Sequence, residues 1–136
     1  MHSSQTIEIQ SQSDVEHARR EARLLAASAG FDAADAEMVA ISVSELATNL
    51  HRYARQGRIV LRRIDGNGKT GIEIESRDNG PGIADIDRAM QDGYSTGGGM
   101  GSGLPAVKRL MDEFAIESRP EGTTVTARKW ATNPTT

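Results

Sequence analysis

Apolar residues recur along this chain with two different spacings, one typical of strands and one typical of helices. Residues 6–10 alternate polar and apolar side chains, which predicts a half-buried strand. In the next two segments, small and aliphatic residues recur every three or four positions, which predicts two amphipathic helices. The repeating positions of the first helix are Val15, Ala18, Ala22, Leu25 and Ala29, and those of the second are Val39, Val43, Leu46, Leu50 and Tyr53.

Residues that favour helix ends stand at both sides of these two segments. Ser13 is followed three residues later by Glu16, which is a capping-box pattern for the start of the first helix. Gly30 is suited to end that helix, because glycine adopts the left-handed conformation of a C-terminal cap. Asp32 is the expected cap of the second helix, which Gly57 would close.

The second half of the chain predicts four strands and one further helix, which begins at Leu104. The first two strands are joined by the sequence Asp-Gly-Asn-Gly, a strong signal for a hairpin turn. The element order β-α-α-β-β-α-β-β predicts an α+β fold, a two-layer α/β sandwich with a mixed sheet covered by helices on one face. The four expected strands are 58–65, 70–77, 114–118 and 123–130.

Length, charge and cysteine content limit the possible classes of protein. The 136 residues fit one domain, expected over 1–131, with a disordered tail at 132–136. The net charge of −3 disfavours a dedicated nucleic-acid binder, and the absence of cysteine excludes disulfides and thiolate metal sites. No apolar run reaches membrane-spanning length. We expect a soluble cytoplasmic protein that binds neither nucleic acid nor membrane.

Two glycine-dense segments, 78–82 and 97–103, stand close together ahead of the helix that begins at Leu104. Glycine lets the backbone approach a ligand closely, and a helix start presents unpaired N–H groups to phosphate. Each segment has an ordinary explanation when taken alone, a tight turn for the first and a flexible linker for the second. Together, and ahead of a helix, they predict a nucleotide-binding site.

Polar residues on other elements extend this hypothesis. Glu45 and Asn49 lie four positions apart, so they share one face of the second helix, beside its apolar stripe. An isolated pair of this kind is more often an ordinary solvated helix edge. Asp78 follows a predicted strand and Thr123 begins the last one. The occurrence of all these features in one chain favours a site.

Two shorter motif matches lack the context that their functions require. The sequence Gly68-Lys69-Thr70 is similar to the end of a P-loop, but Arg63 stands where that motif needs glycine. Residues 101–106 fit the dinucleotide fingerprint G-x-G-x-x-A, yet a glycine-rich loop precedes them instead of a strand. The three histidines are scattered singly, without metal-ligand spacing.

The motifs resemble those of the GHKL (Bergerat) ATP-binding fold, which histidine-kinase catalytic domains, gyrase-type ATPases and anti-sigma serine kinases share. Residues 45–49 match the N box, residues 78–83 the G1 box and residues 99–104 the G2 box of that family. Over nearly the whole chain, the sequence is most similar to the small serine/threonine kinases of bacterial partner-switching systems. No motif position departs from the family pattern.

The resemblance implies ATP and Mg²⁺ as cofactors and assigns a role to each site residue. Glu45 would be the catalytic base and Asn49 would bind the metal through its amide oxygen. Asp78 would accept a hydrogen bond from the adenine amino group, with Thr123 assisting through its hydroxyl or a water. The other implied nucleotide-binding residues are Gly80, Gly82, Ile83, Gly99, Gly101, Ser102, Gly103 and Leu104.

The expected function is a protein serine/threonine kinase that transfers the γ-phosphoryl group of ATP to a STAS-domain antagonist protein. The resemblance further implies a second partner, either a PP2C-type phosphatase or a sigma factor. One alternative is a non-catalytic binding switch or anti-sigma factor that uses ATP as a structural ligand, against which Glu45 argues. Another is a histidine-kinase catalytic domain, which is disfavoured because no phosphoacceptor helix precedes residue 6.

Overall fold

The computed structural model describes residues 4–53, 57–79 and 103–132. Within these ranges, five strands form one sheet in the order β1-β2-β3-β5-β4. The strands are β1 (Ser4–Ile9), β2 (Gly57–Gly66), β3 (Lys69–Asp78), β4 (Glu113–Arg119) and β5 (Gly122–Trp130). The helices are α1 (Gln12–Ser28), α2 (Ala33–Tyr53) and α3 (Leu104–Leu110). The predicted two-layer α+β sandwich is confirmed.

The sheet corrects one part of the prediction, because each strand pair among the described residues is antiparallel rather than part of a mixed sheet. Two of these pairs, β2 with β3 and β4 with β5, join consecutive strands as hairpins, which are antiparallel by construction. The β2–β3 turn is the predicted one, with Asn67 at φ 52° and Gly68 at φ 76°. Two successive positive φ angles are typical of the type I′ turn, whose twist matches that of a hairpin.

The start of α1 lies two residues earlier than the predicted capping box at Ser13 and Glu16. Ser11 is the actual N-cap, and its hydroxyl accepts a hydrogen bond from the backbone N–H of Asp14 at 3.3 Å. In return, Asp14 Oδ2 accepts from the N–H of Ser11 at 3.1 Å. Ser11 and Ser13 are each followed by an acidic residue three positions later, and the reciprocal pair forms between Ser11 and Asp14. Gly30, at φ 90°, follows the end of the helix as predicted.

The predicted cap of α2 is confirmed, but the predicted role of Gly57 is wrong. Asp32 Oδ1 accepts a hydrogen bond from the N–H of Asp35 at 2.8 Å. Gly57 is the first residue of β2, not a helix terminator. A Cβ atom at this position would lie 2.8 Å from Leu50 Cδ2 and 2.9 Å from Leu50 Cβ. The sequence therefore needs glycine here so that α2 and β2 approach each other closely.

An aliphatic core fills the space between the helices and one face of the sheet. The predicted stripe of α2 is buried at every position whose side chain the structure describes, and Leu25 is the one predicted α1 position that stays partly exposed. Small residues on α1, such as Ala18 and Ala22, allow that helix to pack closely against α2. None of the helices within the described ranges is long and apolar enough to cross a membrane. The largest fully buried core residues are Val15, Val39, Val43, Leu46, Ile59, Leu61, Ile72, Ile74 and Val107.

Among the described residues, the other face of the sheet carries a row of charged side chains and no second layer. Glu73 is only 8% exposed and accepts hydrogen bonds from Arg62 and, at 2.8 Å, from Arg128 Nε. The hydrogen bond with Glu73 raises the pKa of Arg128 above the ordinary value for arginine. Beside this row, the Trp130 ring packs on Gly71 and its indole N–H donates to Glu113 Oε2 at 2.7 Å.

Candidate functional site

One junction of α2, β2 and β3 brings Asn49 and Asp78 to the same end of the fold. Gly57 pairs with Asp78 across the antiparallel β2–β3 ladder. Leu50, one residue after Asn49, packs on Gly57 in the space where a side chain would otherwise lie. The C-terminal half of α2 and the end of β3 therefore meet at this edge of the sheet.

The residues of the N box and the last residues of the G2 box lie in direct contact. The backbone N–H of Gly103 donates a hydrogen bond to Glu45 Oε2 at 3.2 Å. Gly103 precedes α3 at φ 61°, and a Cβ atom there would lie 3.8 Å from Asn49 Nδ2. The side chain of Leu104 is buried in the core, which fixes the start of α3 beside α2. The structure thus brings Glu45, Asn49, Gly103 and Leu104 close together.

A second group of polar residues forms where β3 ends and β5 begins. Thr123 is buried, and its backbone N–H donates to Asp78 Oδ1 at 3.3 Å. Its hydroxyl lies 3.0 Å from Ser118 Oγ, on the neighbouring strand β4. A Cβ atom on Gly122 would lie 2.0 Å from the backbone oxygen of Asp78, so only glycine allows β5 to start this close to the end of β3. The predicted pair of Asp78 and Thr123 is therefore adjacent in space.

Six predicted nucleotide-binding residues lie outside the described ranges, and their roles stay predictions. They are Gly80, Gly82, Ile83, Gly99, Gly101 and Ser102.

Sequence reasoning did not find Ser118, Gly122 or Gly57 as contributors to this site. The signal for Ser118 is its position in the period-two pattern of β4, where Phe114 and Ile116 on the same face pack against the core. A serine at a core-facing position needs a hydrogen-bond partner. The signal for Gly122 and Gly57 is weaker, because close backbone approach depends on elements that are distant in sequence.

The donor atoms at the α2–α3 contact suit a hard cation held jointly with a ligand. Among the described residues, no group of three or more His, Cys, Asp or Glu side chains is placed so that it could bind a metal ion. Mg²⁺ usually takes one or two protein oxygens and completes its shell with phosphate and water. The amide oxygen of Asn49, on α2 beside the start of α3, fits that pattern of few protein oxygens.

Comparison with known proteins connects this geometry to a family. Residues 10–129 match the family model for the histidine kinase-like ATPase domain. The Serine/threonine-protein kinase RsbT of Bacillus subtilis (strain 168) is 43% identical over 131 residues, which is 96% of this chain and 98% of that protein. An Anti-sigma F factor of Thermoanaerobacter sp. (strain X514) is 36% identical over 96 residues, 65% of this chain and 66% of that protein.

Two solved structures share the fold. One contains the RsbU and RsbW domains of a Mycobacterium tuberculosis protein, with a TM-score of 0.65 and 19% identity, covering 95% of this chain and 32% of the other. The second is the mycobacterial sensor histidine kinase MprB, with a TM-score of 0.56 and 16% identity, covering 99% of this chain and 100% of the other. Identities this low establish the fold and nothing more.

Proposed function

This chain belongs to the histidine kinase-like ATPase family and is one of its partner-switching serine/threonine kinases, and from that premise we propose that its substrate is a STAS-domain antagonist protein. The γ-phosphoryl group of ATP passes to a serine of that domain. After transfer, the chain releases the phosphorylated domain and activates a second partner, a PP2C-type phosphatase. The proposal rests on the resemblance to partner-switching kinases together with the site residues described above.

The observation that carries the proposal is the contact between Glu45 and Gly103. It joins the candidate base, on α2, to the end of the glycine-rich segment at a single hydrogen bond of 3.2 Å. A base and a phosphate-binding segment must adjoin each other in a kinase, because phosphoryl transfer depends mainly on positioning and electrostatics. The bond also fixes the direction of the Glu45 carboxylate.

The chemistry assigned to these residues is a balanced displacement at phosphorus. The serine oxygen of the partner forms a bond to the γ-phosphorus while its proton passes to Glu45. The bond from the γ-phosphorus to the bridging oxygen breaks, and ADP leaves. Asn49 would hold Mg²⁺, which when bound neutralises charge on the phosphates.

Adenine recognition is assigned to the group around Asp78. A carboxylate accepts hydrogen bonds and does not donate them when ionised, so it suits the amino group of adenine. The bond from the Thr123 N–H holds the Asp78 side chain in place. A side chain held in this way loses little further freedom when a ligand binds, which favours affinity.

Specificity for the partner would come from docking of a folded domain. An intact domain presents its serine in a fixed position, whereas a peptide must be ordered at the moment of binding. Phosphorylation adds about −1.5 to −2 charges at the point of contact. Next to the carboxylate of Glu45 that charge is repulsive, which loosens the complex and frees the kinase for its second partner.

The test uses radiolabelled ATP with the purified chain and either an intact STAS domain or a peptide that carries the same serine. We expect labelling of the intact domain and little labelling of the peptide. A STAS domain with that serine replaced by alanine is the control. Equal labelling of peptide and domain would contradict the docking argument, and tighter retention of the phosphorylated domain in a pull-down would contradict the switch.

A second candidate, an anti-sigma factor that holds a sigma factor while ATP is bound, draws on the 36% identity to an anti-sigma F factor. It uses the same nucleotide site and differs in the partner. Capture of a sigma factor in the presence of ATP, with no capture of a PP2C-type phosphatase, would favour this candidate.

A further inference from the structure

Ser118 lies behind Asp78 and Thr123, the proposed adenine-binding pair, and contacts Thr123. It stands directly opposite Thr123 in the antiparallel ladder between β4 and β5. The two hydroxyl oxygens are 3.0 Å apart, within hydrogen-bond distance, and either one is able to donate. Neither the family resemblance nor the motif boxes assign a role to Ser118.

The direction of this hydrogen bond decides what Thr123 offers to a ligand. A hydroxyl group has one hydrogen to donate and two lone pairs that accept. If Ser118 donates to Thr123, the hydrogen of Thr123 is left to point elsewhere. Thr123 then acts as a donor, next to Asp78, which is an acceptor.

The acceptor of Asp78 and the donor of Thr123 are complementary to the hydrogen-bonding edge of adenine and not to that of guanine. Adenine presents a donor, its amino group, next to an acceptor, N1. Guanine presents the reverse order, an acceptor oxygen next to an N1–H donor. A purine that forms hydrogen bonds with the buried polar groups of a site binds much more tightly than one that leaves those groups unpaired.

We propose that Ser118 is a positioning residue that donates its hydrogen to Thr123 and so makes the Thr123 hydroxyl a donor toward N1 of adenine, directly or through one water. The inference rests on the proposed function, because it assumes that Asp78 binds the adenine amino group. Ser118 itself does not touch the nucleotide. It determines whether the Thr123 hydroxyl acts toward the nucleotide as a donor or as an acceptor.

The surrounding backbone holds Asp78 and Thr123 rigidly, so the direction of the Thr123 hydrogen bond affects ligand binding. Thr123 is fixed by its N–H, which donates to Asp78 Oδ1 at 3.3 Å. Gly122 lies against the backbone oxygen of Asp78 so closely that no side chain fits there. A recognition group is effective when neighbouring residues lock its geometry in this way.

The experiment compares equilibrium binding of ATP and of 1-deaza-ATP, in which C–H replaces N1, to the full chain and to Ser118→Ala. We expect Ser118→Ala to raise the Kd for ATP by about three- to tenfold, the range that a single neutral hydrogen bond supports. The same substitution should leave the Kd for 1-deaza-ATP unchanged, because that analogue offers no acceptor to Thr123. Ser118→Thr, which keeps a hydroxyl, should restore ATP affinity.

The controls separate this inference from the proposed function and from damage to the fold. Ser28→Ala removes an exposed hydroxyl of α1 that donates within its own helix turn, to the Leu25 carbonyl at 2.8 Å, and should change neither Kd. Ser118→Cys keeps the side-chain shape with a weak donor and replaces the alanine variant if that one does not fold.

Two results would overturn the role of Ser118 while the proposed function stands: an unchanged Kd for ATP in Ser118→Ala, or an equal rise for ATP and 1-deaza-ATP. The second result would indicate a merely structural contribution. A wild-type chain that binds no ATP would contradict the proposed function itself, and the inference with it.

Discussion

The backbone N–H of Gly103 donates a hydrogen bond of 3.2 Å to Oε2 of Glu45, a residue 58 positions earlier in the chain. The family resemblance assigns the same N–H to phosphate and the same carboxylate to the catalytic base. A carboxylate and a phosphate oxygen are both anionic acceptors, so they compete for this donor. Substitution of Glu45 should therefore affect ATP binding and phosphoryl transfer differently.

Glu45→Ala should retain ATP binding and lose phosphoryl transfer. The loss of a general base is expected to slow transfer by a factor of about 10²–10⁴. Affinity for ATP should stay the same or rise, because the Glu45 carboxylate no longer competes with phosphate for the Gly103 N–H. Calorimetric titration measures the first quantity, and labelling of the STAS domain measures the second.

Glu45→Gln sharpens this prediction, because the amide oxygen still accepts from the Gly103 N–H but is a very poor base. It should match Glu45→Ala in transfer rate while keeping the contact to α3. Glu8→Gln makes the same change of charge at an exposed position of β1 and serves as the control. Normal transfer in Glu45→Gln would leave that carboxylate a structural role alone.

Asn49→Ala should lose both binding and transfer. Its amide is the expected protein ligand of Mg²⁺, so the phosphates lose their neutralising cation when it is removed. Titration of ATP with and without Mg²⁺ checks this: the wild-type chain should bind more tightly with the metal, and Asn49→Ala should bind equally weakly in both. A normal response of the variant to Mg²⁺ would remove Asn49 from the metal site.

Asp78→Asn should weaken ATP binding without unfolding the protein. One amide oxygen remains to accept from the Thr123 N–H, which preserves the contact seen at 3.3 Å. The negative charge toward the adenine amino group is lost, and a hydrogen bond to a charged group is worth about 1.5–3 kcal/mol. Calorimetry with ATP and GTP checks the result: ATP affinity should fall and GTP should remain a poor ligand. Unchanged ATP affinity in the folded variant would contradict the role of Asp78.

Much of the fold could be read from the sequence because each element carries its own periodic pattern. The stripe of α2 and the turn at Asn67 and Gly68 are local features, and both are confirmed. The pairing of Glu45 with Asn49 also follows from helix geometry, since residues four apart share a face. Each of these features depends on local sequence alone.

Two of the features that sequence reasoning missed depend on two elements at once. The role of Gly57 follows from how closely Leu50 approaches it, and the position of Ser118 follows from the β4–β5 register. The α1 cap was misplaced because Ser11 and Ser13 each have an acidic residue three positions later, and only backbone geometry selects between them. The direction of β5 beside β3 likewise depends on a connection between elements that are distant in sequence.

Asp14→Asn should lower the stability of the protein at neutral pH and have little effect in acid. Hydrogen bonds from the backbone N–H groups of Gln10, at 2.8 Å, and Ser11 hold the pKa of Asp14 below its ordinary value. A lowered pKa gives stability that is full above the unfolded pKa, about 3.9, and is lost as the pH falls through the folded value. Thermal unfolding at several pH values should therefore show a gap between the variant and the wild-type chain at pH 7 that closes toward about pH 2. A gap of constant size would show that the charge of Asp14 contributes nothing.

Gly57→Ala should destabilise the fold, because the new methyl group would lie 2.8 Å from Leu50 Cδ2 and 2.9 Å from Leu50 Cβ. The second atom is close to the α2 backbone, so the helix itself must move, and overpacking of this kind costs about 1–3 kcal/mol. Gly66→Ala, at the other end of β2, is the matched control, since its methyl group would meet Trp130 Cη2 at an ordinary 3.4 Å. Denaturant unfolding of both variants decides the point: Gly66→Ala should change the free energy of unfolding by less than about 0.5 kcal/mol. Equal stability of the two variants would mean that α2 and β2 do not need this close approach.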